Sequence, residues 1–272
     1  MKDSFKLLAG ATILIFFCAA GLAVSESSSS GSQEASQPSS QGPKEILKKT
    51  LDRDYEDLKL HVKLTKISRT GREREMELDV YIKESEEVTK TLVEFTSPPA
   101  VKGMSSLSWN YADKPADRWF KLLGMNYVKC LGEACQRMEE RFGFSMEIFS
   151  IDINEAKHEL LGTEEIDGAP CYKIESEAVE DNPEGSRFIT WVDQKMYAAR
   201  KIEAYNEEGE KTQVSRFTGF DKIGDRFWET KGTLEKLDSG KEVRFEIVSH
   251  ELNTGLSDEL FERPKSFEVR KD

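Results

Sequence analysis

The tightest constraint on what this chain can fold into is a series of segments in which apolar and polar residues alternate one for one. Residues 58–67, LKLHVKLTKI, put Leu58, Leu60, Val62 and Leu64 on one side of an extended chain. Residues 74–83, REMELDVYIK, put Met76, Leu78, Val80 and Ile82 on one side and Glu75, Glu77, Asp79 and Tyr81 on the other. The intervening Arg69-Thr70-Gly71 supplies a turn, so the two segments read as a hairpin. Further strand-like segments are KTLVEF, SSLSWNY, RWFKLL, CYKIES, SRFITWV, ARKIEAY, KTQVSRF, RFWETKG and KEVRFEIVSH, separated by turn sequences such as NEEGE, KIGD and LDSGKE. Alternation with charged outer positions predicts an antiparallel sheet with one dry and one wet side.

Something must cover the dry side: barrel closure, a second sheet, or a curled sheet with a helical lid. Helical patterning is scarce. It predicts a short amphipathic helix from Lys44, with Ile46, Leu47, Leu51 and Tyr55 recurring near helical spacing, and a second over 151–161, IDINEAKHELL, with Asp152 or Asn154 as N-cap. Fifteen Phe, seven Tyr and four Trp supply large side chains for a core, while 33% charged residues must occupy outer faces and turns. The formal charge of -12 and the lack of a basic stripe with interleaved aromatics exclude nucleic acid as a partner.

Ahead of these strands the chain has a different character. Lys2 and Lys6 precede an apolar run from Leu7 to Leu22 that ends in small residues, the layout of a secretory signal, with Ala23, Val24 and Ser25 as a cleavage site before Glu26. Cys18 raises the reading of an acylated lipoprotein leader. Phe16 and Phe17 stand where small residues are usual, which favours Cys18 as a plain apolar residue of the leader. Residues 26–43, ESSSSGSQEASQPSSQGP, hold almost nothing that can be buried and read as a disordered tether. The expected organisation is a leader over 1–25, a linker over 26–43 and one domain over 44–272.

In an oxidising compartment Cys130 and Cys135 are close enough in sequence to close the small loop CLGEAC with a disulfide, leaving Cys171 as a buried apolar residue. A zinc site is the competing reading, but His61, His158 and His250 are scattered and no second close cysteine pair exists, so no metal is expected. There is no GxSxG, no HExxH and no phosphate-cradling Gly loop, so neither an enzyme nor a cofactor is expected.

Three blocks carry a family resemblance. FTSPPAVKGMSSLSWNY at 95–111 resembles a strand, a proline turn, Lys-Gly and the next strand of the LolA-like outer-membrane lipoprotein-sorting family. FITWVDQKMYAARKIEAYNEEGEK at 188–211 is similar to that family's strand ending in aspartate, turn, and strand running into a Gly turn. VSHELNTGLSDELF at 248–261 is similar to its closing strand, Asn, and short helical segment ending in Phe. The stretch FGFSMEIFSIDINEAKHELLG, with the cysteine loop before it, departs from the family's usual serine-aspartate-aromatic loop.

The resemblance implies a mainly β fold: an unclosed antiparallel β half-barrel with a few short α-helices as lid, whose concave apolar surface takes the acyl chains of a lipoprotein or another lipid. It implies a periplasmic or envelope-anchored monomer that works with a membrane-bound donor or acceptor. The alternative is a sensor or interaction domain of the same fold without cargo. Inward strand positions expected to line the cavity are Leu78, Val80, Leu92, Trp109, Phe120, Trp191, Phe245 and Ile247. Each also reads as ordinary core, and the face of Trp191 is open because Phe188 and Val192 occupy the other side of its strand.

Overall fold

A computed structural model of the chain describes residues 41–51, 53–111, 114–130, 156–178, 187–265 and 267–270. The leader and nearly all of the linker therefore lie outside the described residues. Helix α1 (Pro43–Leu51) comes first, then strands β1 (Asp57–Ile67), β2 (Glu73–Glu84), β3 (Val88–Ser97), β4 (Ser105–Tyr111), β5 (Asp117–Lys121) and β6 (Tyr127–Cys130). There follow β7 (Ala156–Ile166), β8 (Ala169–Ala178), β9 (Arg187–Asp193), β10 (Ala199–Tyr205), β11 (Lys211–Ile223), β12 (Arg226–Lys236) and β13 (Lys241–Leu252). A 3-10 helix (Asp258–Phe261) and β14 (Phe267–Arg270) close the chain's order of elements.

The strands form one sheet in the order β14-β6-β5-β4-β3-β2-β1-β13-β12-β11-β10-β9-β8-β7. Its ends, β14 and β7, do not pair, so the half-barrel is unclosed. Every neighbour pair is antiparallel except β14 with β6, which run parallel. Register shifts at His61/Val62, Glu77/Leu78, Leu160/Gly162, Ala204/Tyr205 and Phe217/Gly219 supply the local bends that curl a sheet.

The predicted hairpin is β1 and β2, with Leu60 opposite Val80 and Val62 opposite Leu78. Two helical expectations are corrected. Residues 156–166 are strand β7, whose alternating His158, Leu160 and Gly162 fit a ladder with β8, while 151–155 lie outside the described residues. Helix α1 stops at Leu51; Tyr55 is buried, but from an extended segment. Pro43 suits the first turn, and Glu45 near the start with Lys48 and Lys49 near the end complement the helix dipole.

Gly232 marks the tightest point of the inner side. Cross-strand register lines up Phe217, Gly232, Phe245, Leu64 and Met76, and the Phe217 and Phe245 rings meet edge-on at 6.2 Å. A Cβ on Gly232 would stand 2.7 Å from the Arg216 carbonyl oxygen and 2.7 Å from the Phe245 ring. Gly232→Val is expected to cost about 1–3 kcal/mol through this overpacking, read as a lower urea midpoint.

Candidate functional site

Because directly opposed residues share a face, the sheet's inner side can be read from its register. One row runs Phe217, Gly232, Phe245, Leu64, Met76; the next runs Ile202, Ser215, Leu234, Val243, Lys66, Arg74. With Leu58, Leu60, Val62, Leu78, Val80, Ile82, Val93, Phe95, Phe120 and Val128, these apolar positions form a single cluster that reaches from β6 to β10. Of the expected lining residues, Leu78, Val80, Phe120 and Phe245 belong to it and Ile247 packs against it.

Leu92, Trp109 and Trp191 lie on the other side of the sheet, which corrects their expected position. Leu92 opposes Leu107, which opposes Trp119, and this row with Trp109 packs under Phe261 and Leu256 from the segment after β13. The Trp109 indole N–H donates to the Phe261 carbonyl at 3.0 Å, and Arg263 lies over its ring at 4.4 Å. Trp191 clusters with Cys171 and Ile189. Its N–H donates to Glu164 at 2.9 Å, and the Lys201 and Lys173 ammonium groups sit 4.3 and 5.2 Å from the ring. That bond, with Lys173 nearby, holds the Glu164 carboxyl below the usual range although burial opposes it. Phe188 and Val192 take the inner side of β9 instead, where Val192 packs with Ile174 under Ile46 and Leu47 of α1.

A strap joins α1 to β1 across the inner side. The Arg53 guanidinium lies 4.3 Å over the Trp228 ring and donates to Glu229 at 2.6 Å; the second Glu229 oxygen accepts the Ala199 N–H at 2.7 Å. Tyr55 tilts against Trp228 at 5.9 Å, and its buried hydroxyl, without a hydrogen-bond partner among the described residues, lies toward Glu84. Burial pushes the Glu84 carboxyl up to about 7, against the opposing effect of the nearby Tyr55 hydroxyl. A carboxyl raised in the folded state stabilises below its unfolded pKa and loses that contribution as pH rises through about 7. Glu84→Gln is therefore expected to gain stability over the parent protein between acid and neutral pH, seen as melting temperatures that diverge as pH rises from about 4.5 to about 7 and stay apart above it.

Cys130 is disulfide-bonded. Cys135, its expected partner, lies outside the described residues. Cys171 is free and buried, and burial, with Asp193 adding to it, pushes its thiol up to about 11. Among the described residues no group of three or more His, Cys, Asp or Glu side chains is arranged to hold a metal ion.

With this geometry in hand, likeness to known proteins can be placed. A family model described as "-like: Uncharacterized protein" matches residues 87–265, more than half of the chain. A DUF1329 family protein from Desulfovibrio piger superposes with a TM-score of 0.72 at 19% identity, over 81% of this chain and 95% of that one. A putative outer membrane lipoprotein-sorting protein domain from Vibrio parahaemolyticus gives 0.68 at 17% identity, over 80% and 95%. A LolA superfamily protein from Nitrosomonas europaea gives 0.60 at 19% identity, over 81% and 97%. The chain belongs to the matched family, and its fold is LolA-like. No curated protein matches the sequence.

Each sequence block of the resemblance is a turn device of this LolA-like fold. In the first, the Pro98 carbonyl accepts Val101 and Lys102 N–H groups, and Gly103 takes a positive φ of 87° before β4. In the second, Asp193 accepts the Lys195 and Met196 N–H groups at 2.8 and 2.9 Å and the Arg200 Nε at 2.7 Å, which turns β9 into β10. In the third, the Asn253 side chain accepts the Glu56 N–H at 2.7 Å. Asp57 in turn accepts Thr254, Gly255 and Leu256 N–H groups at 2.9, 2.8 and 3.1 Å and the Thr254 hydroxyl at 3.2 Å.

Proposed function

We propose that this protein is an envelope lipid- or lipoprotein-binding carrier that holds acyl chains against the inner face of its half-barrel, in lipoprotein sorting to the outer membrane. The observation that carries the reading is one continuous apolar cluster lining an unclosed sheet, covered on part of its extent by a helix and a strap and, among the described residues, not by a second sheet. Each methylene moved out of water contributes about 0.8 kcal/mol, so ten contribute about 8 before ordering costs. Binding and release by such a surface need no covalent step. The secretory layout and Ser-rich linker support export to the periplasm, free or envelope-anchored, where a membrane-bound partner delivers or receives cargo. Two solved proteins of the same fold bear names that point the same way, one for outer-membrane lipoprotein sorting and one for the LolA superfamily.

One observation favours the second reading, a sensor or interaction domain without cargo. Leu78, Val80 and Phe120 are 1%, 0% and 0% exposed, so a chain reaches them only if their cover moves. Mass spectrometry of lipid extracted from protein purified out of membranes separates the two. Stoichiometric co-purified lipid, together with hydrophobic-dye uptake that Trp191→Phe on the outer side leaves unchanged, is the expected result. Protein that carries no lipid and takes up no dye sinks the carrier reading and leaves the interaction domain.

A further inference from the structure

The inner face is apolar in its middle and changes character at one end. Inward positions there are Ser215 and Gln213 on β11, Lys236 on β12, Lys241 on β13, Lys66 on β1 and Arg74 on β2. Gln213 directly opposes Lys236, Lys236 opposes Lys241, and Lys66 opposes Arg74. These paired positions carry four cations and no carboxylate, in a chain whose acidic residues outnumber its basic ones by 51 to 39. The nearby Glu73, Glu75 and Glu242 fall on the outer parity, where Arg244 takes up Glu73 and Glu242.

Three of the groups are at least nine-tenths buried: Ser215 is 1% exposed, Gln213 5% and Lys236 8%. The Ser215 hydroxyl oxygen is buried without a hydrogen-bond partner, and the Lys236 ammonium has no carboxylate within ion-pair distance among the described residues. A buried hydroxyl left this way is costly unless a hydrogen-bond partner visits, and the mostly covered Lys236 side chain beside it keeps its ammonium at the solvent edge. Lys66 experiences the same field: burial, and next the Arg74 charge facing it, push its ammonium down to about 7. On their apolar side the three groups continue directly into Leu234, Val243 and Phe217 of the main cluster.

We propose that this end of the inner face is a head-group site for an anionic amphiphile, in which Lys236, Ser215 and Gln213 bind a carboxylate or phosphate oxygen while its hydrocarbon chain lies along the apolar rows. The inference rests on the carrier reading and narrows it: the cargo carries a negative charge at the end of its chain. Arg74 acts as a positioning charge that raises the local potential. Ser215 and Gln213 donate to the head from the neighbouring strand, so that an uncharged head of the same size leaves Lys236 uncompensated.

The test compares oleate with oleyl alcohol, identical in chain and different in head, by displacement of a hydrophobic fluorophore from the purified full chain. Oleate is expected to bind at least about tenfold more tightly, in keeping with a charge-assisted hydrogen bond in a buried site. In Lys236→Met that preference disappears while oleyl alcohol still binds; in Lys236→Arg the preference persists. A folded Lys236→Met is confirmed by a melting temperature no lower than the parent's. Equal binding of oleate and oleyl alcohol overturns the head-group site and leaves the carrier. Binding of neither overturns both. A preference that survives Lys236→Met overturns the assignment of the head to this end. Competition by inorganic phosphate against the fluorophore with no added chain shows a free-anion site and overturns the amphiphile.

Discussion

Glu229→Ala is expected to destabilise the domain by about 3–5 kcal/mol, the cost of leaving a buried charge without its partner. Both members of the Arg53–Glu229 pair are buried, and the carboxylate also satisfies the Ala199 N–H, so the substitution strands a guanidinium and a backbone donor together. Arg53 is further held against Trp228, which places it in an apolar setting and leaves little water to replace Glu229. Urea unfolding at unchanged slope measures the loss. Arg53→Met combined with Glu229→Leu is expected to recover much of it, because a well-packed apolar pair removes the stranded charge. Since these residues pin the strap over the inner face, Glu229→Ala also raises hydrophobic-dye uptake under native conditions; a variant with lower stability and unchanged uptake would show that the strap does not guard the surface.

Asp57→Ala is expected to cost about 3 kcal/mol, because one carboxylate takes hydrogen bonds from three successive backbone N–H groups and a hydroxyl. Burial alone would raise the Asp57 pKa, but bonds from Thr254, Leu256 and Gly255 outweigh it and hold the carboxyl below its usual range. A depressed folded pKa gives stability that is complete above the unfolded value of about 4 and is lost as pH falls through the folded value. The parent protein therefore loses stability steeply in acid, and Asp57→Ala flattens that limb while lowering the plateau at neutral pH. Unfolding midpoints between neutral pH and acid decide it, and parallel curves for the two proteins would remove Asp57 from the linkage. The variant also loosens the segment that covers Trp109, so an increase in indole exposure accompanies the drop.

Strands were legible in this chain wherever one side of the sheet is wet. The β1–β2 hairpin follows from alternation alone, because its outer residues, such as Lys63 and Glu77, meet water and each other. The reading failed where both sides are dry. Trp109 looks inward by its size, yet the segment carrying Phe261 covers the outer side of β4, and that cover comes from 152 residues away in sequence. On β9 an α-helix roofs one side and a lysine-flanked tryptophan packs the other, so FITWV shows no preferred face. Strand β7 read as helix because Asp152 and Asn154 imitate a cap ahead of His158 and Leu160. Of the polar inner residues, Lys66 was available to inspection: it continues the parity of Leu60, Val62 and Leu64, which a purely solvated lysine would break. Ser215 and Lys236 needed the register, since bulges at Ala204/Tyr205 and Phe217/Gly219 interrupt the count along β10 and β11.

Strand β1 lies between β2, its sequence neighbour, and β13, and the Asp57 carboxylate reaches Gly255 across 198 residues. Hairpins such as β2–β3 or β11–β12 can assemble as soon as they are made, but the middle seam must wait for the last long strand. A chain held short of residue 241 thus keeps its central strand half paired and its greasy side bare. The same delay leaves the newly made chain exposing apolar surface, and so prone to aggregate, until its two distant ends are zipped together.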